Sequence, residues 1–332
     1  MTFFSAPIAR RATLGLVAAL ALGAPAIAPA ADAFPSRVVT VHTPFPPGSG
    51  PDAILRTITE RLSRLWGQPV VVQNRAGAGG FVAMEATRRL APDGYNLVQL
   101  DSEQLVALPL LYKSRQFQTL DIFEPVASIF HTPFLFAVPA DSPWKNVSDL
   151  VAAAKARPGG INYGSWGVGS PGHLGGEQLE LATGTQMQHI AFRDSGQLFT
   201  ALASGEVAWS LGSIPSSQAM YKAGKIRYLA VAGPRRITQM PEVPTVDEAG
   251  GPGDLVQSSF VVLVAPKGMV PTVREKIAAD VAQVLQAPDV KARMDTFAFE
   301  PITWSPDEVL AQARAKGQMY ETLIKRKNIS LD

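Results

Sequence analysis

The chain has 332 residues, 30 Lys+Arg against 28 Asp+Glu, and a formal net charge of +2. This near-balance, with no long run of either sign, argues against a nucleic-acid partner, which would select a basic patch or stripe. The complete lack of cysteine excludes disulfides, thiolate metal sites, a cysteine nucleophile and a lipid anchor on an N-terminal cysteine.

At the start of the chain, Arg10 and Arg11 precede an apolar stretch from Leu14 to Leu22. The small-x-small sites Ala28-Pro-Ala30 and Ala31-Asp-Ala33 follow. This is the pattern of a secretory signal over residues 1–33, cleaved near Ala33. The apolar run is shorter than the roughly 20 residues that span a bilayer. The paired arginines admit the twin-arginine route, but Thr13, where that motif prefers an aromatic, favours general export. Either route delivers the mature chain to the periplasm.

From Phe34 a unit recurs: a β-branched run, a glycine-rich loop, an amphipathic helix. Arg37–Val41 is the first strand and Pro44–Gly50 its loop. Pro51 and Asp52 open a helix with Ile54, Leu55, Ile58, Leu62 and Leu65 at helical spacing, and Gly67 stops it. Pro69–Val72 is the next strand, followed by the loop Gly77–Gly80 and a helix through Leu90; Asn96–Leu100 is the third strand. The alternation predicts a parallel sheet with helices on both faces. It resumes with a strand at Phe134–Val138, a helix over Ser148–Arg157, a strand at Ile161–Tyr163, a glycine-rich loop over Gly164–Gly172 and a helix over His173–Ala182. Strands follow at Met187–Ala191, Glu206–Leu211 and Arg227–Ala232. Thr245 and Glu248 form a capping box for a short helix. Phe260–Val264 is a last apolar strand, ahead of helices over Thr272–Gln286 and from Ser305, where Pro306 and Glu308 complete the start signal. The two most apolar strands, 134–138 and 260–264, read as crossings between two α/β domains, 34–134 plus 258–332 and 135–257. No internal repeat is visible.

Three glycine-rich loops each run from a strand into a helix, where free N–H groups and the positive end of the helix dipole bind anions. Any one of them could be only a tight turn; three together, one with Gly167, Gly169 and Ser170, favour a ligand site. Nucleotide motifs fail: Gly77-Ala-Gly-Gly-Phe-Val82 has Val82 in place of the third fingerprint glycine, and no P-loop lysine occurs. No Gly-x-Ser-x-Gly elbow exists. His42, His131, His173 and His189 lack metal-ligand spacing, so no metal or cofactor is expected. His173 reads as a residue that holds its loop or caps its helix, and Asp52 as an acid that braces its helix. Without an assembled nucleophile, base and oxyanion set, binding fits better than catalysis.

From Phe34 to Asp332 the chain resembles the Bug or TctC family, the periplasmic substrate-binding proteins of tripartite tricarboxylate transporters. The resemblance rests on Phe34-Pro-Ser36, Pro44-Phe-Pro-Pro-Gly48, Asn74-Arg75 with Gly77–Gly80, and Ala91-Pro-Asp-Gly-Tyr95. Further on it rests on Pro158-Gly159 with Asn162-Tyr163, Gly167-x-Gly-Ser170 with His173-Leu174, Ala223-Gly-Lys225 and Leu229-Ala-Val231. Pro241–Val246 with Glu248-Ala-Gly250 completes the set. It implies an α/β, two-lobed Venus-flytrap fold of type II, with two crossing strands, that closes on one small organic anion. By the same resemblance a ligand carboxylate is held by Phe45, Pro46, Gly48 and Ser49 and by Ser165, Trp166, Gly167, Gly169 and Ser170. The rest of the ligand is read by Ala78, Gly79, Ser102, Glu103, Phe192, Asp194, Ser195, Gly212 and Ser213. Asp52 and His173 are structural residues near the site. The implied partners are the membrane permease subunits, with the receptor itself a monomer.

Departures from the family pattern carry their own expectations. Trp166 stands where small or polar residues are usual, and is either a platform for the ligand or a wedge between lobes. Gly212 stands where an Asp is usual, while Asp194 and Glu103 are additional acids. These acids either face a cationic group on an amphoteric ligand or point to solvent. A role in presenting the ligand to a sensor, or an enzyme using the same crevice, are the alternatives to transport.

Overall fold

The computed structural model describes residues 1–3 and 34–332; the expected signal segment, from residue 4 to 33, lies outside the described residues. The first sheet takes strands β1 (Val39–Thr43), β2 (Val70–Asn74), β3 (Asn96–Asp101) and β4 (Phe123–Pro133). The second takes β5 (Leu135–Pro139), β6 (Asn162–Ser165), β7 (Gln188–Ala191), β8 (Trp209–Gly212) and β9 (Ile226–Val231). The chain then returns to the first sheet with β10 (Ser258–Pro266) and β11 (Glu300–Pro301). The strand orders are β11-β4-β10-β3-β1-β2 and β7-β6-β8-β5-β9.

Neither sheet is wholly parallel, which corrects the sequence expectation. β10 runs antiparallel to β3 and β4, and β5 runs antiparallel to β8 and β9. β10 and β5 are the strands that have just arrived from the other lobe, so each enters its sheet from the opposite end; the short edge strand β11 is also antiparallel to its neighbour β4. Leaving out the short edge strand β11, both sheets read second, first, third, crossing, fourth. The chain therefore repeats its topology without repeating its sequence.

Helix α1 (Gly50–Trp66) buries Ile54, Leu55, Ile58 and Leu62 against the first sheet, and Gly67 ends it at φ 65°. The helices α2 (Phe81–Thr87), α3 (Ser102–Val106), α4 (Leu108–Leu111) and α5 (Thr119–Ile122) connect the first lobe's strands. In the second lobe lie α6 (Val147–Ala156), α7 (Pro171–Thr183), α8 (Ser195–Ala203) and α9 (Ile214–Lys222). The chain closes with α10 (Pro271–Leu285), α11 (Pro288–Phe297) and α12 (Pro306–Lys327). Glycines let α7 lie close on its sheet: a Cβ at Gly176 would sit 2.3 Å from the Tyr163 ring, and one at Gly175 would sit 2.3 Å from Leu211. Among the described residues no helix is long and apolar enough to cross a membrane.

Three departures have local causes. β4 went unread because Pro125 and Pro133 interrupt its pattern; Pro125 is tolerated beside a register shift opposite Val264, where the ladder is already irregular. The Thr245–Glu248 capping contacts form, at 2.8 and 3.2 Å, but enclose a single turn, since Gly250 turns left-handed (φ 72°) and Pro252 follows. The strand expected from Glu206 begins at Trp209, because Gly205 and Glu206 fold back onto the end of α8.

The chain crosses between the sheets at Phe134 and again at Gln257. Backbone bonds tie the two crossings together: Phe134 N–H donates to the Gln257 carbonyl (3.2 Å), Gln257 N–H to Ala232 (2.9 Å) and Ala232 N–H to Phe134 (2.8 Å). α12 starts at the expected Ser305–Glu308 capping box; its first half lies under the first sheet and its second half also lies against α7.

Candidate functional site

The loops leaving β1, β2 and β3 and those leaving β6, β7 and β8 all start at the carboxyl ends of parallel strands, where ligands gather in open α/β sheets. The loop after β1 is held from beneath. Asp52, only 1% exposed, accepts from Gly48 N–H (2.8 Å), Asn74 Nδ2 (2.7 Å) and Arg56 Nε (3.0 Å). Burial pushes this carboxyl up, but Arg56, Asn74 and the Gly48 amide outweigh it and hold it below the usual range. Thr43 donates to Gln99 (2.8 Å), whose amide reaches the Pro51 carbonyl (3.1 Å). Asp52, expected to brace its helix, does so through Arg56 and also ties the loop through Gly48 and the β2 end through Asn74. Gln99 and Arg56 act with it and were missed.

On this braced loop, Phe45 is half-buried and Pro46 and Gly48 are exposed. Ser49 is the N-cap of α1, yet its hydroxyl makes no capping bond. Its Oγ is screened from solvent and finds no hydrogen-bond partner among the described residues. A shielded hydroxyl without a partner, at a helix N-terminus, calls for an explanation. Directly beside it, a Cβ on Gly50 would lie 2.8 Å from Pro215 in the first turn of α9, so the N-termini of α1 and α9 meet across the lobes.

After β2, Ala78 and Gly79 form a tight turn with φ of 46° and 64°, and a Cβ on Gly80 would meet the Gln104 amide at 2.9 Å. After β3, Asp101 and Gln104 form a capping box at the start of α3. The next residues turn inward. Glu103 accepts from Ser102 (2.9 Å), Ser259 (2.5 Å) and Tyr320 (2.7 Å), with Lys316 Nζ at 3.1 Å. Burial would raise its pKa, but Lys316 and these hydroxyls hold it down. The expectation that Glu103 faces solvent or a cationic ligand group is therefore corrected: its cation is Lys316, and its oxygens are filled from within. Asp101, buried beside that charge, is pushed up to about 8 by burial first and by Glu103 second.

In the second lobe, Ser165 is fully buried and its Oγ contacts the Gly167 carbonyl (2.9 Å) and His189 Nε2 (2.7 Å), so the side chain is engaged inside the lobe rather than presented to a ligand. Trp166 stacks on Phe134 at the crossing, with centroids 5.8 Å apart, and its ring edge fills the space at Gly172. Gly167 and Gly169 adopt φ of 127° and 79°. Ser170 caps α7 by accepting from His173 N–H (3.4 Å) and donates to the Gly167 carbonyl (2.7 Å). His173 Nδ1 accepts from Gly169 N–H (3.1 Å), the loop-holding role expected of it.

Phe192 packs toward Gly164 in the second-lobe core, and Asp194 caps α8 by accepting from Gln197 N–H (2.9 Å), with Ser195 the first residue of that helix. Gly212 can carry no side chain, since a Cβ would lie 2.2 Å from the Phe199 ring. Ser213 precedes α9 and donates to Ser216 Oγ (3.1 Å). Among the described residues no group of three His, Cys, Asp or Glu side chains could hold a metal ion.

Two lobes of matching strand order, tied by paired crossings, face each other through helix N-termini. Comparison with known proteins carries this further. The family model described as the tripartite tricarboxylate transporter family receptor, TctC, matches residues 54–329. Protein BugT of Bordetella pertussis (strain Tohama I) is 33% identical over 282 residues, 84% of this chain and 85% of the relative. Among solved structures, Rpa4515 of R. palustris with adipate is 29% identical with a TM-score of 0.81, covering 90% of this chain and 99% of that one. MatC (Rpa3494) of Rhodopseudomonas palustris with bound malate is 28% identical with a TM-score of 0.78, covering 88% and 100%. The chain belongs to the TctC receptor family and is a solute-binding protein of that type.

Proposed function

We propose that this protein is a periplasmic receptor that captures one small organic carboxylate between its lobes and delivers it, chemically unaltered, to the membrane permease subunits of a tripartite tricarboxylate transporter. The observation that carries this reading is the Ser49 hydroxyl, shielded and unpartnered at the first turn of α1. A carboxylate there would supply the missing acceptor and meet the positive end of the helix dipole. The adipate and malate held by the structural relatives support the same ligand class. The bodies that close are residues 34–134 with 258–332 and residues 135–257, hinged at Phe134 and Gln257. A plain carboxylate suits the pocket better than an amphoteric one, because Glu103 already has its cation and Asp194 is engaged as a helix cap.

Calorimetric titration of the mature protein with a panel of mono-, di- and tricarboxylates tests this. One-to-one binding with the ligand recovered intact is expected. Ser49→Ala should weaken that binding about tenfold, the cost of one lost hydrogen bond to a charged group. Unchanged affinity in Ser49→Ala would remove the carrying observation.

A further inference from the structure

The first half of α12 places Val309 and Ala313 beneath the first sheet, while Tyr320, Leu323 and Ile324 pack with Leu174 of α7 and Leu111 of α4. At its last turn, Lys327 Nζ lies 2.8 Å from Glu177 Oε2 and also contacts Glu180, both on α7. The lysine side chain is 23% exposed and the glutamates 14% and 5%, so the cluster is largely shielded, and removing Lys327 would leave two carboxylates without their cation. Within five residues the chain is back on the first lobe. Leu331 N–H donates to the Leu111 carbonyl (3.0 Å), and Ser114 N–H donates to the Asp332 carboxylate (2.9 Å). This link between the lobes lies outside both crossings.

From Glu177 the contacts continue to the glycine loop. His173 Nε2 is 3.6 Å from Glu177 Oε1, an electrostatic contact rather than a full hydrogen bond, and Tyr163 OH donates to the same oxygen (3.0 Å). The Gly169 amide can only donate, so His173 Nδ1 is an acceptor and the ring proton sits on Nε2, facing Glu177. Gly169 itself abuts the first lobe, where a Cβ would lie 2.3 Å from Leu111. The loop is thus gripped from two sides, by His173 and by the α4 face that α12 supports.

We propose that Lys327 and Glu177 are positioning residues for ligand capture: acting through His173, they fix the backbone of Gly167–Ser170, and α12 is thereby part of the binding apparatus. The low carboxyl of Glu177, about 2, agrees with this, since His173 and Lys327 outweigh the upward push of burial. The binding arm of the test rests on the carboxylate-receptor reading; the exchange arm does not.

The test uses the mature chain with Lys327→Met, Glu177→Gln, His173→Gln and His173→Asn, and Lys325→Met as control, since among the described residues Lys325 pairs only with exposed Glu321. Amide hydrogen exchange is measured without ligand, and affinity is measured with adipate and malate as probes. Lys327→Met and Glu177→Gln should speed exchange over 166–170 about tenfold while α6 is unchanged, and weaken the binding probe by a similar factor. His173→Gln, which gives Gly169 no acceptor near Nδ1, should match them, and His173→Asn, which keeps one, should fall between. Unchanged exchange in the first two variants, or exchange raised equally throughout the second lobe, would overturn the proposal. If the unaltered protein binds neither probe, the carboxylate reading is at fault, and exchange alone decides the positioning role.

Discussion

The loops after β1 and β6 occupy the same place in two sheets of the same strand order, and both end in a serine and a proline at a helix start. They are anchored by opposite means. The first is braced by a buried carboxylate, Asp52, with Asn74 and Arg56 around it, and leaves Ser49 Oγ without a partner among the described residues. The second is braced by an imidazole, His173, tilted 30° against the His189 ring at 4.0 Å, and spends its serine on the cap. Equivalent backbone positions therefore end differently: in a serine hydroxyl without a partner among the described residues on one side, and on the other in a glycine backbone held from behind.

Breaking the first anchor should have the largest effect. Asp52→Ala strands the Gly48 amide, the Asn74 amide and Arg56, and should cost about 2–4 kcal/mol in urea unfolding, the range for a broken buried pair moderated by the exposure of Arg56. A loss under half of that would mean the loop holds itself.

Acid should separate the two anchors. Burial pushes His189 down to about 3, against an ordinary value of 6.5. The unfolded chain then binds this proton first, so the stability held by neutral His189 falls as pH drops from about 6.5 toward 3. Asp52 is depressed below its ordinary 3.8, so its contribution is intact above that value and lost only at lower pH. Amide exchange against pH should therefore show 165–170 loosening before 44–50. Simultaneous loosening would mean that the lobes open as one unit.

The smallest difference is the sharpest. Ser170→Ala removes a working cap and should lower stability by about 1 kcal/mol, while Ser49→Ala removes a hydroxyl that makes no bond and should change the midpoint of the ligand-free protein very little. Equal losses would show that Ser49 caps α1 in solution.

What the sequence revealed depended on how far apart the partners lie. Asp52 was legible because its contacts to Gly48 and Arg56 are each four residues away, and His173 because it follows its own loop. The strands at 37–41, 134–138 and 260–264 were legible from β-branched and aromatic runs, and α12 from its capping box. Glu103 was not, because Ser259 is 156 residues distant and Tyr320 is 217, and no local pattern links Lys316 and Tyr320 to a site in the first lobe. Ser165 looked like a ligand contact because its loop does; only the pairing of β6 with β7 brings His189 against it. β4 and α11 were hidden by prolines and by a weak apolar period.

The reversed strand in each sheet has a consequence for how the chain assembles. All five strands of the second sheet lie within 135–231, so that lobe can form from one continuous stretch. The first sheet cannot, because β10 lies between β3 and β4, and β4 is joined to the rest of the sheet only when residues 258–266 arrive. Its assembly requires closure of a loop longer than the whole second lobe, the kind of distant pairing that slows folding. Refolding followed by pulsed hydrogen exchange should find the second sheet protected first, with the later half of the chain completing what the earlier half began.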